Sequence, residues 1–307
     1  MSQASKTLTV FGATGNQGGS VIKTILADPL LSKQWKIRGV TRDPSKAAAQ
    51  SLAAQGVEMV AGDISSFNQA LPAVTGAHTV FLVTNFWESM SRETEVAQGK
   101  AVTDACKEAG VKHLIFSSLR NVTEITNGRL PNVTHFDGKA EVEAYIRASG
   151  VPASFVLAGL FMSNFFQFFN KQDDTYSLAW PVDMQTAQVP LFDVAEDTGK
   201  FVKAAIKHYP TTLNQRILAA TDYYTPQRIV DEFRAATGKK AQAITIPADM
   251  FKSFLPAAVA QEMLENILLL GDVGYYAGEP LADSHKLLDE KPTQWREFVT
   301  RNQDKFP

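Results

Sequence analysis

The sequence predicts an α/β fold, a doubly wound parallel sheet of Rossmann type with a smaller interleaved α/β domain on its C-terminal side. Three observations lead there. Short apolar strand-like runs alternate with helix-like segments through the first half of the chain. Those runs are apolar throughout rather than alternating, as strands covered on both faces are. A glycine-rich turn, Gly12-Ala13-Thr14-Gly15-Asn16-Gln17-Gly18-Gly19, follows the first run directly.

Strands are expected at 8–11, 36–41, 57–61, 79–84, 113–117 and 154–157. The fourth is the strongest, being rich in β-branched and aromatic residues. Helices are expected between them at 17–27, 44–55, 67–74, 93–109 and 139–148, the fourth stopped by Gly110 and the last closed by Gly150 and Pro152. The second half is less regular and is punctuated by Pro181, Pro190 and Pro210. It offers a strand at 216–220 that returns to the main sheet, a helix at 226–236 ended by Gly238, and a strand at 243–246. Helices at 256–270 and 295–302 follow. The expected division is a dinucleotide-binding domain over 1–158 and a smaller substrate or partner domain over 159–307, some of whose segments rejoin the first sheet.

Lys and Arg number 30 against 32 Asp and Glu, so the chain carries no electrostatic footprint for nucleic acid or an anionic membrane. The expected partners are a small-molecule substrate or a regulatory protein bound through the second half, with the chain a monomer or homodimer. Cys106 stands alone and cannot close an intramolecular disulfide, which points to a reducing compartment, the cytoplasm or also the nucleus. The stretch Met1 to Lys6 has no apolar core of a secretory signal, and the longest apolar runs, such as 155–162, fall short of a membrane span. Sequons beginning at Asn121 and Asn132 are therefore read as chance matches. The five histidines are scattered without metal-ligand spacing, and no metal is expected.

Gly12, Gly15 and Gly18 stand three apart between a strand and a helix. Such a turn sets backbone N–H groups and a helix N-terminus against a pyrophosphate, and the missing side chains allow close approach. The end of the second strand selects the dinucleotide. An acid there would accept from a ribose 2′-hydroxyl, but Arg42 occupies the expected place with Lys46 close behind. A guanidinium grips a 2′-phosphate with paired hydrogen bonds. NADP(H) is the expected cofactor, with Asp43 leaving NAD open if the strand ends one residue later. Asp63 with Ile64, and Thr84-Asn85-Phe86, end the third and fourth strands, where ligands of such sheets sit.

Taken together, Gly12 to Gly19, Val40-Thr41-Arg42, Val83 to Ser89 and His135-Phe136-Asp137-Gly138-Lys139 resemble the NmrA-like family of the atypical short-chain dehydrogenase/reductase superfamily, its NADP(H) redox-sensor type above all. The resemblance covers most of the chain and is strongest up to about residue 165. It implies NADP(H) held by Gly12, Ala13, Thr14, Gly15, Asn16 and Gln17, by Arg42, Asp43, Pro44, Ser45 and Lys46, and by Asp63 and Ile64. It further implies contacts from Thr84, Asn85 and Phe86, from Lys139, and from Phe161, Met162, Ser163 and Asn164. Such relatives act as sensors that prefer one cofactor state or bind regulatory proteins, while some fungal relatives are assigned oxidoreductase roles.

Short-chain dehydrogenases use a tyrosine and a lysine four residues on. Here the pair reads His135 and Lys139. Lys139 is expected to hold the ribose. His135 either replaces the tyrosine as a proton donor, or makes a structural bond near a helix start with Asp137 as N-cap. Ser117 and Ser118 end the fifth strand, where a helper serine would lie. The phenylalanines 161, 165, 166, 168 and 169 are read mainly as packing, with the first of them near the nicotinamide pocket. Cys106 is read as a core residue. Two functions follow: a redox-sensing regulator without the usual catalytic tyrosine, or an NADPH-dependent reductase of an enone, imine or carbonyl.

Overall fold

In the computed structural model, which describes residues 5–307, the expected strands assemble as β1 (Lys6–Val10), β2 (Trp35–Thr41), β3 (Glu58–Ala61), β4 (Thr79–Leu82), β5 (His113–Ser118) and β6 (Ala153–Ala158). Residues 1–4 of the stretch read for a signal lie outside the described residues. Beyond β6 come β7 (Leu160–Phe161), β8 (Phe169–Gln172), β9 (Thr175–Trp180), β10 (Val189–Phe192), β11 (Arg216–Ala219), β12 (Asp222–Tyr224) and β13 (Lys240–Thr245).

The main sheet has seven parallel strands in the order β11-β6-β5-β4-β1-β2-β3. β1 therefore lies between β2 and β4, with Val10 opposite both Gly39 and Phe81. Strand order reverses on the two sides of β1, and a crevice opens at the carboxyl ends there. The chain leaves β1 into the glycine turn at that place. β12-β10-β7 and β13-β9-β8 form two small sheets.

Both faces of the main sheet are covered. On one face Leu8, Val10, Ile37, Phe81, Ile115 and Val156 pack against the helices Asn16–Ala27 and Val194–Lys207. On the other, Val80, Leu82, Leu114, Phe116, Phe155 and Leu157 meet Phe67–Val74, Arg92–Glu108 and Thr134–Ser149. Glycines let the helices approach: a Cβ on Gly199 would sit 2.3 Å from the Ser20 carbonyl oxygen, and one on Gly99 would sit 2.4 Å from Val142. Cys106 is buried in this layer, and burial pushes its thiol pKa up, which leaves it inert.

Four local expectations need correction. The helix Val194–Lys207 was not anticipated, although Asp193 caps its first amides and Glu196 stands three residues later. The strand expected to reach residue 84 ends at Leu82, so Thr84 lies in the loop. The helix expected from 139 begins at Thr134. Asp137 is not its N-cap. It is fully buried and accepts from the Val122 amide at 2.7 Å and the Thr123 hydroxyl at 2.5 Å, tying down a neighbouring turn. The C-terminal half is cored by aromatics: Phe169 stacks on Phe233 at 4.5 Å, and Phe165 meets Trp295 at 4.9 Å. Among the described residues no helix is long and apolar enough to cross a membrane.

Candidate functional site

The crevice at the end of β1 opens into a cleft of about 770 Å³. Its floor is the glycine turn. Gly12 takes a left-handed φ of +63°, which turns the chain out of the strand, and its carbonyl accepts from the Gly15 amide at 2.9 Å. Gly18 lies under that carbonyl, where a Cβ would sit 2.2 Å from the Gly12 oxygen. No side chain caps the Asn16–Ala27 helix and no acid stands in its first turn, so its leading N–H groups are left for an anion. The residues present fit the pyrophosphate of a dinucleotide.

At the end of β2, Arg42 is exposed at the cleft rim and pairs with Glu88, itself half-exposed. A carboxylate thus already stands where the guanidinium could receive a 2′-phosphate. Asp43 turns away: Ser45 donates to it through its amide at 2.9 Å and its hydroxyl at 2.5 Å, and these bonds hold its carboxyl below the usual range. Asp63 makes the same turn with Ser65 after β3, and with Ile64 it lines the cleft.

Of the residues expected to bind cofactor, the cleft wall brings together Gly12, Thr14, Gly15, Asn16, Gln17, Arg42, Asp63, Ile64, Thr84, Asn85, Phe86, Lys139, Phe161 and Asn164, with His135. Seven others stand off the wall. Ala13 is buried under the turn against Gly39, and Met162 is buried in the core. Ser163 sits in the short turn Met162–Asn164 without reaching the wall, and Asp43, Pro44, Ser45 and Lys46 run outward toward the Ala47–Ala54 helix.

Lys139 lies at the junction between this dinucleotide half and a more apolar half. An ammonium has three N–H donors. Here they go to the Thr84 hydroxyl at 2.8 Å, the Thr84 carbonyl at 3.2 Å, and the carboxylate of Glu95. Glu95 is fully buried, accepts from Thr84 as well at 2.7 Å, and leaves its second oxygen without a partner. Gly138 makes room for that oxygen, since a Cβ there would sit 2.8 Å from it. Burial pushes the Lys139 ammonium below the ordinary lysine range, and Glu95 pulls it back. Bonding to a ribose would require one of the three partners to give way.

His135 is held from the opposite side. Its Nδ1 lies 2.5 Å from Glu262 Oε1, and its amide donates to the same oxygen at 2.8 Å. Burial raises Glu262, but the bonds from His135 and Thr134 outweigh it, and the carboxyl stays below its usual range. Glu262 sits on the helix Ala257–Leu268 and caps the start of Thr134–Ser149 from outside, which is why that helix begins before residue 139. One turn along, Glu265 accepts from Asn132. The His135 ring lies 4.9 Å from Trp87 and 4.8 Å from Phe136. With Nδ1 fixed on a carboxylate, Nε2 is the nitrogen left to act. Both expected helper serines line the cleft: Ser117 donates to Gln17 at 2.8 Å, and Ser118 donates to buried Glu143 at 2.6 Å.

Glu95, Glu262, Asn266 and Tyr275 were not singled out in the sequence, and Glu88 stood there only within the string Val83 to Ser89, without a role. Glu95 reads there as an ordinary acid in a first helical turn, and nothing local marks the others.

A profile of the NmrA-like family matches residues 4–299. The NmrA-like family domain-containing oxidoreductase ptmS of Penicillium ochrochloron is 34% identical over 263 residues, 79% of this chain and 76% of that protein. The crystal structure of NmrA, a negative transcriptional regulator, in complex with NADP superposes with a TM-score of 0.80 at 22% identity, covering 97% of this chain and 95% of that one. The NADPH-dependent quinone oxidoreductase QOR2 of Escherichia coli, complexed with NADPH, has a TM-score of 0.76 at 20% identity, covering 96% and 99%. Likeness at these identities shows the shared fold.

Proposed function

This chain belongs to the NmrA-like family, and from that premise we propose that it is an NADPH-dependent oxidoreductase that reduces a conjugated small molecule. The observation that carries the reading is the junction just described. His135, fixed through Nδ1 by Glu262, stands between a dinucleotide floor and an apolar half-cleft lined by Phe86, Trp87, Phe136, Phe168 and Met263. A protein that only binds a dinucleotide needs no such second half. The oxidoreductase naming of its 34%-identical fungal relative and the NADPH complex of a structural neighbour support the same direction.

The bound nicotinamide would supply a hydride. The chain's own part is to bind, orient and move a proton. His135 Nε2 is the donor of that proton in this reading, taking over from the tyrosine of related dehydrogenases. Lys139, tied to Glu95 and Thr84, fixes the junction's geometry. Reduction of an enone or imine suits this arrangement, because the proton need not be delivered in the same step as the hydride. The test is steady NADPH oxidation across a panel of enones, imines, carbonyls and quinones. Absence of turnover on every one would sink the reading.

NADP(H) is preferred over NAD(H) in this proposal because Arg42 stands at the rim and Asp43 is spent on Ser45. A partly exposed guanidinium–phosphate contact contributes about 1–3 kcal/mol, a ten- to hundredfold preference. Arg42→Ala is expected to erase most of that preference in calorimetric titrations with NADPH and NADH. Glu88→Gln removes the competing carboxylate and is expected to shift it the other way. Equal preference in all three proteins would remove Arg42 from its assigned role.

The redox-sensing reading expected from the missing tyrosine keeps one observation in its favour. The helix Ala257–Leu268 lines the cleft through Met263 and Asn266 and holds His135 through Glu262, so a change there has a rigid element to displace. Swinging such an element from 1:99 to 99:1 needs about 5.5 kcal/mol of differential affinity. Titration with NADP and NADPH measures it directly, and near-equal affinities would exclude the sensor.

A further inference from the structure

Tyr275 and Tyr276 stand side by side in a turn that their neighbours dictate. Gly274 takes a φ of +83° and Ala277 one of +55°, and the Ala277 amide donates to the Gly274 carbonyl at 3.0 Å. The Gly274 amide donates to the Leu269 carbonyl at 3.0 Å, which hangs the turn just past the helix Ala257–Leu268. The two rings stand at 89° to each other with centroids 5.3 Å apart, and they end in different surroundings. Tyr276 is 1% exposed and donates to the Leu157 carbonyl of β6 at 2.9 Å. Tyr275 is 6% exposed, lines the cleft and packs edge-on against Phe136 at 4.9 Å.

One phenol is spent and the other is free. The Tyr275 hydroxyl has no hydrogen-bond partner among the described residues. Burial alone acts on it and pushes its pKa up, so the phenol keeps its proton. Three side-chain polar atoms are both sealed from solvent and unpartnered, Glu95 Oε2, Arg120 Nε and Asn266 Nδ2, and the Tyr275 oxygen is not one of them. It is therefore unpartnered and reachable, and the surface its residue keeps is cleft wall. The other hydroxyls at the junction are engaged: Thr84 by Glu95, Ser117 by Gln17 and Ser118 by Glu143. Phe136 touches both His135, at 4.8 Å, and Tyr275, so the proton donor of the reductase reading and this free phenol border the same apolar half-cleft.

We propose that Tyr275 is a further catalytic residue, a hydrogen-bond donor that receives the carbonyl oxygen of an enone or enal and stabilises the charge that hydride transfer puts there. The inference rests on the reductase reading for the reaction, while the donor itself is tested by binding. Hydride from NADPH forms a C–H bond at the far alkene carbon, the alkene π pair shifts, and the carbonyl oxygen becomes an enolate. Tyr275 donates to that oxygen without giving up its proton. His135 Nε2 then protonates the α-carbon and the carbonyl re-forms. One NADPH is oxidised to NADP and one proton is consumed for each C=C bond reduced. A donor aimed at a developing oxyanion stabilises the transition state more than the ground state.

The probe is p-dimethylaminocinnamaldehyde, a neutral enal whose absorption moves to longer wavelength when its oxygen accepts a hydrogen bond. It is titrated into the NADP-loaded protein, where no hydride is available. The wild type is expected to shift the band. Tyr275→Phe should lose the shift and bind the probe about tenfold more weakly, with NADP affinity and melting temperature unchanged. Tyr276→Phe, which gives up the bond to Leu157, should melt lower and keep the shift. His135→Phe should also keep it. With NADPH, Tyr275→Phe should lower kcat for the enal by about 10²- to 10³-fold and move KM far less. A shift retained in Tyr275→Phe, no shift or no probe binding in the loaded wild type, or a Tyr275→Phe protein that melts lower or loses NADP would each overturn the proposal. A Tyr275-dependent shift without NADPH oxidation would uphold the donor and defeat the reductase reading. Turnover at the wild-type kcat in Tyr275→Phe would do the opposite.

Discussion

His135→Phe is expected to lower NADPH-dependent turnover by about 10²- to 10⁴-fold, the usual contribution of a positioned proton donor, while leaving NADPH affinity near that of the wild type. The phenyl ring keeps the contacts that the imidazole makes with Trp87 and Phe136. What it removes is the nitrogen pair, one end fixed on Glu262 and the other available to act. Glu262→Gln is the companion variant. It keeps an acceptor for the His135 and Thr134 donors but loses the negative charge that holds the ring with its hydrogen on Nδ1. Turnover should fall less than in His135→Phe, and its pH profile should change, whereas a purely structural cap would leave the profile as it was. Glu262→Ala also removes the outside cap of the Thr134–Ser149 helix, at a cost of about 1 kcal/mol. Thermal melting alongside kinetics separates the two roles. If His135→Phe turns over as the wild type does, the proton comes from elsewhere and the assignment falls.

The division between what could be read in the chain and what could not follows the distance between partners. The glycine turn is local: strand, turn and helix are consecutive, and the pattern Gly12, Gly15, Gly18 carries its own context. The inner strands β4, β5 and β6 were legible for the same reason, because a doubly covered strand is buried along its whole length, whereas β2 alternates and edge β3 is only partly covered. The Lys139 side chain was not legible. The His135–Lys139 spacing suggests a ribose ligand, yet the acid that takes its charge is Glu95, 44 residues away, and the hydroxyl is Thr84, 55 away. Glu262 meets His135 across 127 residues. Burial of Glu95 depends on Gly138 standing next to Lys139, and only the packed helices Arg92–Glu108 and Thr134–Ser149 bring the two together. The helix Val194–Lys207 is the opposite case. Its capping signal was present in Asp193 and Glu196, but the irregular stretch around it hid the period.

Gly18→Ala is expected to abolish dinucleotide binding, by more than about 100-fold, and to cost about 1–3 kcal/mol of stability as an overpacked site. The added methyl would meet the Gly12 carbonyl oxygen at 2.2 Å, its carbon at 2.6 Å and the Ala13 nitrogen at 3.0 Å. All three are backbone atoms, so no side chain can swing aside. Nor can the turn expand freely. The Ala13 amide is bonded to the Val40 carbonyl on β2, and the Gly15 amide to the Gly12 carbonyl itself. Relief would have to come from moving the helix Asn16–Ala27, which is packed through Ser20 on Gly199 of the neighbouring helix. Gly19→Ala is the control in the same turn of helix. Its Cβ would lie 3.6 Å from the nearest atom, an ordinary contact, and alanine favours the helix by up to about 1 kcal/mol over glycine. It should melt no lower than the wild type and bind NADPH similarly. Measured together by thermal melting and NADPH titration, the pair isolates close approach from helix propensity. Equal NADPH affinity in the two variants would mean that the pyrophosphate does not rest on this turn, and the cofactor's seat would have to be sought elsewhere in the cleft.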